Sequence, residues 1–359
     1  DDLRQMSQLV TEAVQAGALG FSTSRTIGHR ALDGSPVPGT FAPDQELSAI
    51  ADAMARAGRG VFEMIPAGTV GKLERLGGER TTPEAEVELM ADFSRQSGRK
   101  VTFTLVQSPD YAPDTWERLL DMVVSANQTG AQLYPQVSSR PIGLASGLSG
   151  YHAFQRRPTY MKLAHLSLAD RAREMAKPEI KAAIMSETDV LVDQPGSMAN
   201  MYQLFQTAAM FLYPLADPVD YEPDPSEMLG SRAAATGQDV LDLLYDYLLE
   251  QDGAAMCALM GGPNVHDSQE VLRKMLIHSE TVTGLSDAGA HVTLICDATM
   301  PTTQLTFWAR DRHKGERLPL EFLVAKQTAR NADLYGLNDR GRLAVGLRAD
   351  INVIDFENL

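Results

Sequence analysis

The sequence predicts an α/β fold built on a parallel β-sheet. Strand-like apolar runs occupy residues 17–24, 61–65, 101–106, 131–137, 254–260, 281–286 and 349–356. About 30–45 residues separate the first four runs from one another, which is the room that a crossover helix needs. Each intervening segment carries apolar residues at helical spacing. Strands connected by helices in this way normally run parallel.

The predicted helices are marked by periodicity and by their ends. They cover residues 2–16, 44–57, 82–97, 113–129, 237–251, 301–314 and 318–335. Asp44 is expected to cap the second helix, whose buried face carries Leu47 and Ile50. Thr82 is expected to cap the third, with Pro83 at its first position.

The alternation of strands and helices breaks after residue 145. Residues 146–230 combine irregular segments and helices that are rich in Met, Pro and Tyr. We interpret them as a helical insertion covering the open end of a barrel. An independent domain is the alternative, but no Gly/Ser linker separates this segment.

Composition narrows the classes of function. The 359 residues carry a formal net charge of −15, without a Lys/Arg run longer than two residues. Nucleic acids and anionic membranes are therefore poor partners, and no apolar stretch reaches the ~18 residues of a membrane span. Cys257 and Cys296 provide no disulfide framework, which favours a reduced, cytoplasmic compartment.

Both ends of the sequence suggest a piece of a larger protein. The chain starts at Asp1 directly in a helical pattern, without a signal peptide. It stops at Leu359, just after the last strand-like run. We therefore expect a fragment.

The carboxyl ends of parallel strands are where catalytic groups collect. Asp287 follows the strand 281–286 directly, in the run Ser-Asp-Ala-Gly-Ala-His that ends at His291. Small neighbours allow close approach of a ligand, so Asp287 is a candidate general base or metal ligand. The alternative is an aspartate that caps the following turn.

Other chemistry-bearing residues give weaker signals. His291 is a candidate substrate or metal contact, and His29 lies in a loop that could reach an active-site mouth. Cys296 has no evident base beside it, and we interpret it as a buried, inert thiol. No HxH, HxxxH or HExxH motif, nucleophile elbow or phosphate loop is present.

Several motifs together resemble the amidohydrolase superfamily, in its N-acyl-D-amino-acid deacylase (D-aminoacylase-like) branch. The matching stretches are Gly-Ala-Leu-Gly-Phe-Ser-Thr at 17–23, Gln-Leu-Tyr-Pro at 132–135, Gly-Leu-Ser-Asp-Ala-Gly at 284–289, Gln-Thr-Ala-Arg-Asn-Ala-Asp-Leu-Tyr-Gly-Leu at 327–337 and the run from 339 to 355.

The resemblance implies an α/β, (β/α)8 TIM-type barrel, here incomplete. The chain would supply strands four to eight, and the family's His-x-His pair and bridging Cys would lie upstream of Asp1. Residues 1–345 would form the partial barrel with its insertion at 146–230, and 346–359 would return as a strand to a small β-sandwich.

The resemblance also implies roles for individual residues. Asp287 matches the final-strand aspartate that binds metal and moves the proton. Tyr134 matches the first Tyr of a Tyr-Pro-Tyr segment near the substrate, where this chain has Gln136 at the third position. Arg140 stands where relatives often have a small hydroxyl residue, and it could pair with a substrate carboxylate.

The metal ligands depart from the family pattern. Relatives carry a histidine on the fifth strand and another on the sixth, whereas the corresponding strands here contain none. Glu63 and Gln107 are the ligand-like replacements, although Gln is a weak zinc ligand. The resemblance implies a divalent metal cofactor, with zinc as the first choice.

Two functions remain open. The first is a hydrolase of non-peptide C–N bonds that uses Asp287 as general base, with Tyr134, Arg140 and His291 near a small amide substrate. The second is a metal-free barrel that binds a small molecule or partner without turnover. We expect the isolated chain to be inactive, and self-association into a homo-oligomer stays open.

Overall fold

The computed structural model describes residues 1–31, 33–194, 196–261, 268–286, 294–295 and 297–359. Its strands are β1 (Gly20–Ser24), β2 (Val61–Ile65), β3 (Lys100–Thr104), β4 (Leu133–Val137), β5 (Ile142–Gly147), β6 (Leu212–Pro214), β7 (Met256–Gly261) and β8 (Val282–Thr283). Its helices are α1 (Asp2–Gln15), α2 (Asp44–Ala57), α3 (Pro83–Ser97), α4 (Thr115–Gln128), α5 (Pro158–Leu163), α6 (Leu168–Met175), α7 (Pro178–Ser186), α8 (Tyr202–Thr207), α9 (Leu229–Thr236), α10 (Val240–Leu248), α11 (Glu270–Ile277), α12 (Met300–Thr306), α13 (Leu320–Gln327) and α14 (Ala329–Tyr335).

A five-stranded parallel sheet forms the framework of the chain. Its strands follow the order β1-β2-β3-β4-β8, and each neighbouring pair is parallel. Helices α2, α3 and α4 connect the first four strands, as the spacing of the apolar runs predicted. All carboxyl ends of these strands therefore meet at one edge, called here the carboxyl edge.

One face of this sheet packs against the connecting helices. Phe62 and Met64 of β2 and Phe103 of β3 belong to the main apolar core and are at most 1% exposed. The predicted helix residues Leu47 and Ile50 lie in the same core. Burying one such large side chain contributes about 1.5–3 kcal/mol, so this face holds the sheet and its helices together.

The helix ends agree with the sequence in one case and differ in another. Thr82 caps α3, with its side chain accepting from the Ala85 amide, and Pro83 opens the helix as predicted. The expected Asp44 cap is wrong, since Asp44 is the first helical residue and Pro43 stands at the cap position. A carboxylate in the first turn still favours the helix through its dipole.

A second layer is built from the residues after β4. Strands β5, β7 and β6 form an antiparallel sheet in that order, and they lie with helices α5–α10 around a separate apolar cluster. Phe154, Phe205 and Tyr245 are fully buried in this cluster. The predicted strand at 254–260 corresponds to β7, which joins this antiparallel sheet rather than the parallel one.

The predicted strand at 349–356 is absent from the structure. The segment has no ladder hydrogen bonds to a neighbour among the described residues, and Val345 and Val353 are almost fully exposed. Its alternating apolar pattern suits a strand, but a strand forms only beside a partner. Along the described ranges, every helix falls short of the length and apolarity required for a membrane span.

Candidate active site at the carboxyl edge of the parallel sheet

The face of the sheet opposite the connecting helices, called here the inner face, is polar. The strand register aligns Ser22, Glu63, Thr102 and Tyr134 in one row across β1 to β4. Side chains alternate between the two faces of a strand, so this row lies on the face that the apolar core leaves free. In parallel α/β folds the chemistry collects beyond this row, at the carboxyl ends of the strands.

Glu63 shares the inner face with helix α14. Leu334 of this helix packs against Val61 and Val282. The pKa of the Tyr335 phenol is raised, mainly by burial and to a smaller extent by the negative charge of Glu63. The carboxylate of Glu63 therefore lies close enough to α14 to act on Tyr335. Sequence reasoning named Glu63 as a candidate metal ligand on this strand, and that role stays a prediction.

Tyr134 lies towards the amino end of β4. Its ring is 5.8 Å from Lys100 Nζ and 5.3 Å from the Arg330 guanidinium, measured to the ring centroid. Leu334 belongs to the apolar cluster against which the ring packs. The structure thus surrounds this tyrosine with cations from β3 and α14, and its predicted contact with substrate stays a prediction.

Gln107 serves as a helix cap. Its amide nitrogen donates to the carbonyl oxygens of Ser108 at 2.8 Å and Ala112 at 3.1 Å, and its amide oxygen accepts from the Trp116 backbone at 3.0 Å. The side chain is 4% exposed. The oxygen that a metal would need is therefore engaged at the start of α4.

Arg140 is engaged in a buried ion pair. Its Nη1 lies 2.7 Å from Asp297 Oδ1, and Nη2 donates to Thr299 Oγ1 at 3.1 Å. Its guanidinium also stacks over the Tyr221 ring at 5.0 Å from the centroid. A substrate carboxylate would have to compete with Asp297 for this guanidinium.

The loops at the carboxyl edge contain a buried charge pair that sequence reasoning missed. Arg25 follows β1 directly, and its Nε lies 2.9 Å from Glu86 Oε2 on α3. Glu86 is 1% exposed and also accepts from the Ala67 amide, just after β2. The arginine at a strand end was the available signal, but its partner lies 61 residues further along the chain.

A serine and a histidine meet at the same edge. Ser24 ends β1, and its Oγ lies 2.8 Å from Nδ1 of His29. Both side chains are partly buried. The sequence placed His29 in a loop near an active-site mouth, and the structure positions it beside the end of a sheet strand.

The three remaining predicted residues, Asp287, His291 and Cys296, lie outside the described residues. The chain leading to Asp287 is described as far as Ser286, and the Gly284 amide donates to the Val137 carbonyl at 3.2 Å. The chain therefore passes the last residue of β4 at Gly284, and Leu285 then leaves the extended conformation, with φ of 66°.

The divalent metal that the resemblance implies would need several ligand side chains close together. Those residues contain no group of three or more His, Cys, Asp or Glu side chains arranged to hold a metal ion. A zinc site needs three or four such ligands. The described part of the chain therefore does not supply a complete zinc site by itself.

Comparison with known proteins gives both sequence and structural similarities. A segment of 46 residues is 52% identical to N-acyl-D-glutamate deacylase from Alcaligenes xylosoxydans xylosoxydans, covering 13% of this chain and 9% of that protein. A solved N-acyl-D-glutamate deacylase from Bordetella bronchiseptica, complexed with zinc and a phosphonate inhibitor, matches 97% of this chain at 17% identity and a TM-score of 0.47. A solved D-aminoacylase matches 98% at 15% identity and a TM-score of 0.48.

The chain spans about half the length of the solved structures it matches, 55% of the deacylase and 56% of the D-aminoacylase. The model of the amidohydrolase family matches residues 1–359, the whole of the sequence. The chain therefore belongs to the amidohydrolase family.

Proposed function

We propose that this chain carries the catalytic edge of a hydrolase that cleaves a non-peptide C–N bond in small N-acyl amino acids. Membership of the amidohydrolase family supports a hydrolytic reaction. The 46-residue similarity to an N-acyl-D-glutamate deacylase supports an acylated amino acid as substrate. The observation that carries the proposal is the parallel pairing of β8 with β4, because the segment that extends past β4 at the carboxyl edge runs directly into Asp287.

In this proposal Asp287 is the general base. Its carboxylate takes a proton from water while the water oxygen attacks the acyl carbonyl of the substrate. As the tetrahedral intermediate collapses, the C–N bond breaks and the proton passes to the leaving amine. The products are a carboxylic acid and a free amino acid, and the aspartate returns to its starting charge.

A divalent metal, with zinc as the first choice, belongs to the proposal as a cofactor. Such an ion lowers the pKa of bound water. The described residues do not supply a three-ligand group, so no step of the reaction is derived through the metal. Glu63, on the inner face, remains the proposed chain ligand within the described strands, together with Asp287 outside them.

Substrate recognition is proposed at the same edge. Arg140 and His291 are assigned to it by sequence, and Tyr134, which lies towards the amino end of β4, would contact the substrate from the inner face of the sheet. For Arg140 the proposal requires the guanidinium to exchange the Asp297 carboxylate for that of the substrate, because the two lie 2.7 Å apart. A cytoplasmic location and the absence of nucleic-acid or membrane partners stay predictions.

The proposal is tested on the full-length protein, because we expect the isolated chain to be inactive; it is incubated with N-acetyl derivatives of D- and L-amino acids, and the free amine released is measured. Metal content is measured in parallel by elemental analysis. Release from at least one N-acetyl amino acid, with saturation kinetics, is the expected result. A protein that releases amine from none of them contradicts it.

A metal-free binding barrel is the second candidate function. The observation in its favour is that the described residues contain no three-ligand group. It predicts that an N-acetyl amino acid raises the thermal unfolding midpoint while no amine is released. The two functions therefore differ in one assay, and the same sample supplies both readings.

A further inference from the structure

We propose that Ser24 and His29 form a nucleophile–base pair at the carboxyl edge, able to accept an acyl group on Ser24. The Ser24 Oγ and His29 Nδ1 atoms are 2.8 Å apart, within hydrogen-bond distance. A serine activated by an adjacent base in this way is the arrangement that covalent acyl transfer uses. Ser24 is the last residue of β1, so the pair lies at the edge where this architecture carries its chemistry.

The turn that brings His29 back towards Ser24 is anchored by buried groups. Thr26 is fully buried, and its hydroxyl donates to Glu79 Oε1 at 2.5 Å. The amide of Ile27 donates to the other oxygen of the same carboxylate at 3.2 Å. The amide of Gly28 donates to the Thr26 hydroxyl at 3.1 Å. The turn is thus held by the Glu79 carboxylate, which binds Thr26 and Ile27, and by the bond from Gly28 back to Thr26.

The two ends of the turn are fixed as well. The amide of Arg25 donates to the Ile65 carbonyl at 2.9 Å, and its side chain forms the ion pair with Glu86. After the histidine, Arg30 Nε donates to the Ile27 carbonyl at 2.6 Å. The separation of the serine and the imidazole is therefore set by contacts outside the pair, which is the preorganisation that a catalytic group needs.

The covalent step balances within the pair and its substrate. His29 Nδ1 takes the hydroxyl proton while Ser24 Oγ attacks the carbonyl carbon of an activated ester. The tetrahedral intermediate collapses with cleavage of the ester C–O bond, and His29 returns the proton to the departing alcohol or phenol oxygen. Water then attacks acyl-Ser24 while His29 takes its proton and passes it to Ser24 Oγ as the acyl–oxygen bond breaks, which releases the carboxylic acid and regenerates the serine.

This activity is distinct from the proposed amide hydrolysis. It needs neither Asp287 nor a metal ion, because the nucleophile is a side chain rather than bound water. It also uses an activated ester rather than an amide. An experiment that finds one activity absent therefore does not exclude the other.

The probe is p-nitrophenyl acetate, applied to the full-length protein in the presence of a metal chelator. Release of p-nitrophenolate is followed by absorbance, and the acetylated residue is located by peptide mass spectrometry. We expect one acetyl group per chain, carried by Ser24. Ser24→Ala abolishes it, and His29→Gln lowers the acetylation rate by about a hundredfold, the lower range for loss of a general base.

Ser125 provides a control serine outside the site. It is exposed on the outer helix α4, and its hydroxyl donates to the Asp121 carbonyl at 2.9 Å rather than meeting a histidine. Ser125→Ala leaves the acetylation rate unchanged if the pair is responsible. Three results would overturn the proposal: acetylation spread over surface lysines, an unmodified Ser24, or equal acetylation rates in wild type and His29→Gln. If a variant fails to fold, the peptide map of the wild-type protein still shows whether Ser24 carries the acetyl group.

Discussion

Replacing Arg140 with methionine separates a structural from a substrate-binding role for this arginine. The sequence assigned its guanidinium to a substrate carboxylate, whereas the structure pairs it with Asp297. Methionine keeps an unbranched side chain of related length and removes the charge. The two roles therefore predict different outcomes for the stability of the protein.

The size of the effect follows from burial. The side chains of Arg140 and Asp297 are 4% and 1% exposed, so removing the guanidinium leaves a carboxylate with little access to water. Breaking such a buried pair costs about 3–5 kcal/mol. The Thr299 hydroxyl and the Pro141 carbonyl lose their contacts with the guanidinium as well. Against a typical unfolding free energy of about 5–15 kcal/mol, this loss is large.

The assay is urea unfolding followed by tryptophan fluorescence. Trp308 reports on this region because its indole nitrogen donates to the Ser139 carbonyl at 2.6 Å. The double variant with Asp297→Asn should recover much of the loss, since no buried charge is then left uncompensated.

An exposed ion pair of the same length is the control. Arg173 and Asp170 also lie 2.7 Å apart, but their side chains are 72% and 52% exposed. Arg173→Met is expected to leave the unfolding curve unchanged, because solvent screens exposed pairs. If Arg140→Met loses less than about 1 kcal/mol while KM for an acyl amino acid rises, the buried-pair interpretation is refuted.

Three further predictions concern the scaffold. Gly20→Ala should lower the free energy of unfolding by about 3 kcal/mol, at the upper end for overpacking, because a Cβ there would lie 1.8 Å from the Val61 carbonyl oxygen. The control is Gly143→Ala, where the atom nearest to the added Cβ is 3.9 Å away and the thermal midpoint should stay unchanged. Equal midpoints in the two variants would contradict this. Burial, with a smaller contribution from Arg171, lowers the pKa of His152 to about 3. The stability is therefore fully present above the ordinary pKa of 6.5 and is lost as the pH falls towards 3. Urea titrations should show that the free energy of unfolding falls by about 1.4 kcal/mol per pH unit in this range and that His152→Asn removes this dependence, so a variant with the wild-type dependence would count against the prediction. Gln107→Leu should destabilise the chain by about 1–2 kcal/mol through loss of the α4 cap without changing its metal content, and a fall in metal content with unchanged stability would instead support a ligand role.

The parallel sheet could be predicted because its signals are local. Apolar runs flanked by helical crossovers specify β1 to β4, and the strand before Asp287 follows the same pattern. The tail at 349–356 has an equally good local pattern, yet it forms no strand among the described residues. Pairing depends on a neighbour, which local alternation does not reveal.

Long-range pairing explains most of what the sequence could not predict about the candidate site. The partner of Arg140 is 157 residues away, and no local signal points from one to the other. Gln107 was assigned to metal because it ends a strand, but the start of α4 nine residues later uses its amide oxygen. His29 was a weak candidate by sequence, since only the turn anchored on Glu79 brings it to Ser24.

The central claim is that Asp287 moves the proton in amide hydrolysis at the carboxyl edge. The most direct test is made in the full-length protein and compares kcat of Asp287→Asn with that of Asp52→Asn, an exposed carboxylate on the outer helix α2, on the best N-acetyl amino acid. We predict that Asp287→Asn lowers kcat by at least about a hundredfold while Asp52→Asn matches the wild type. Equal kcat values for the two variants, with both proteins folded, would contradict the claim.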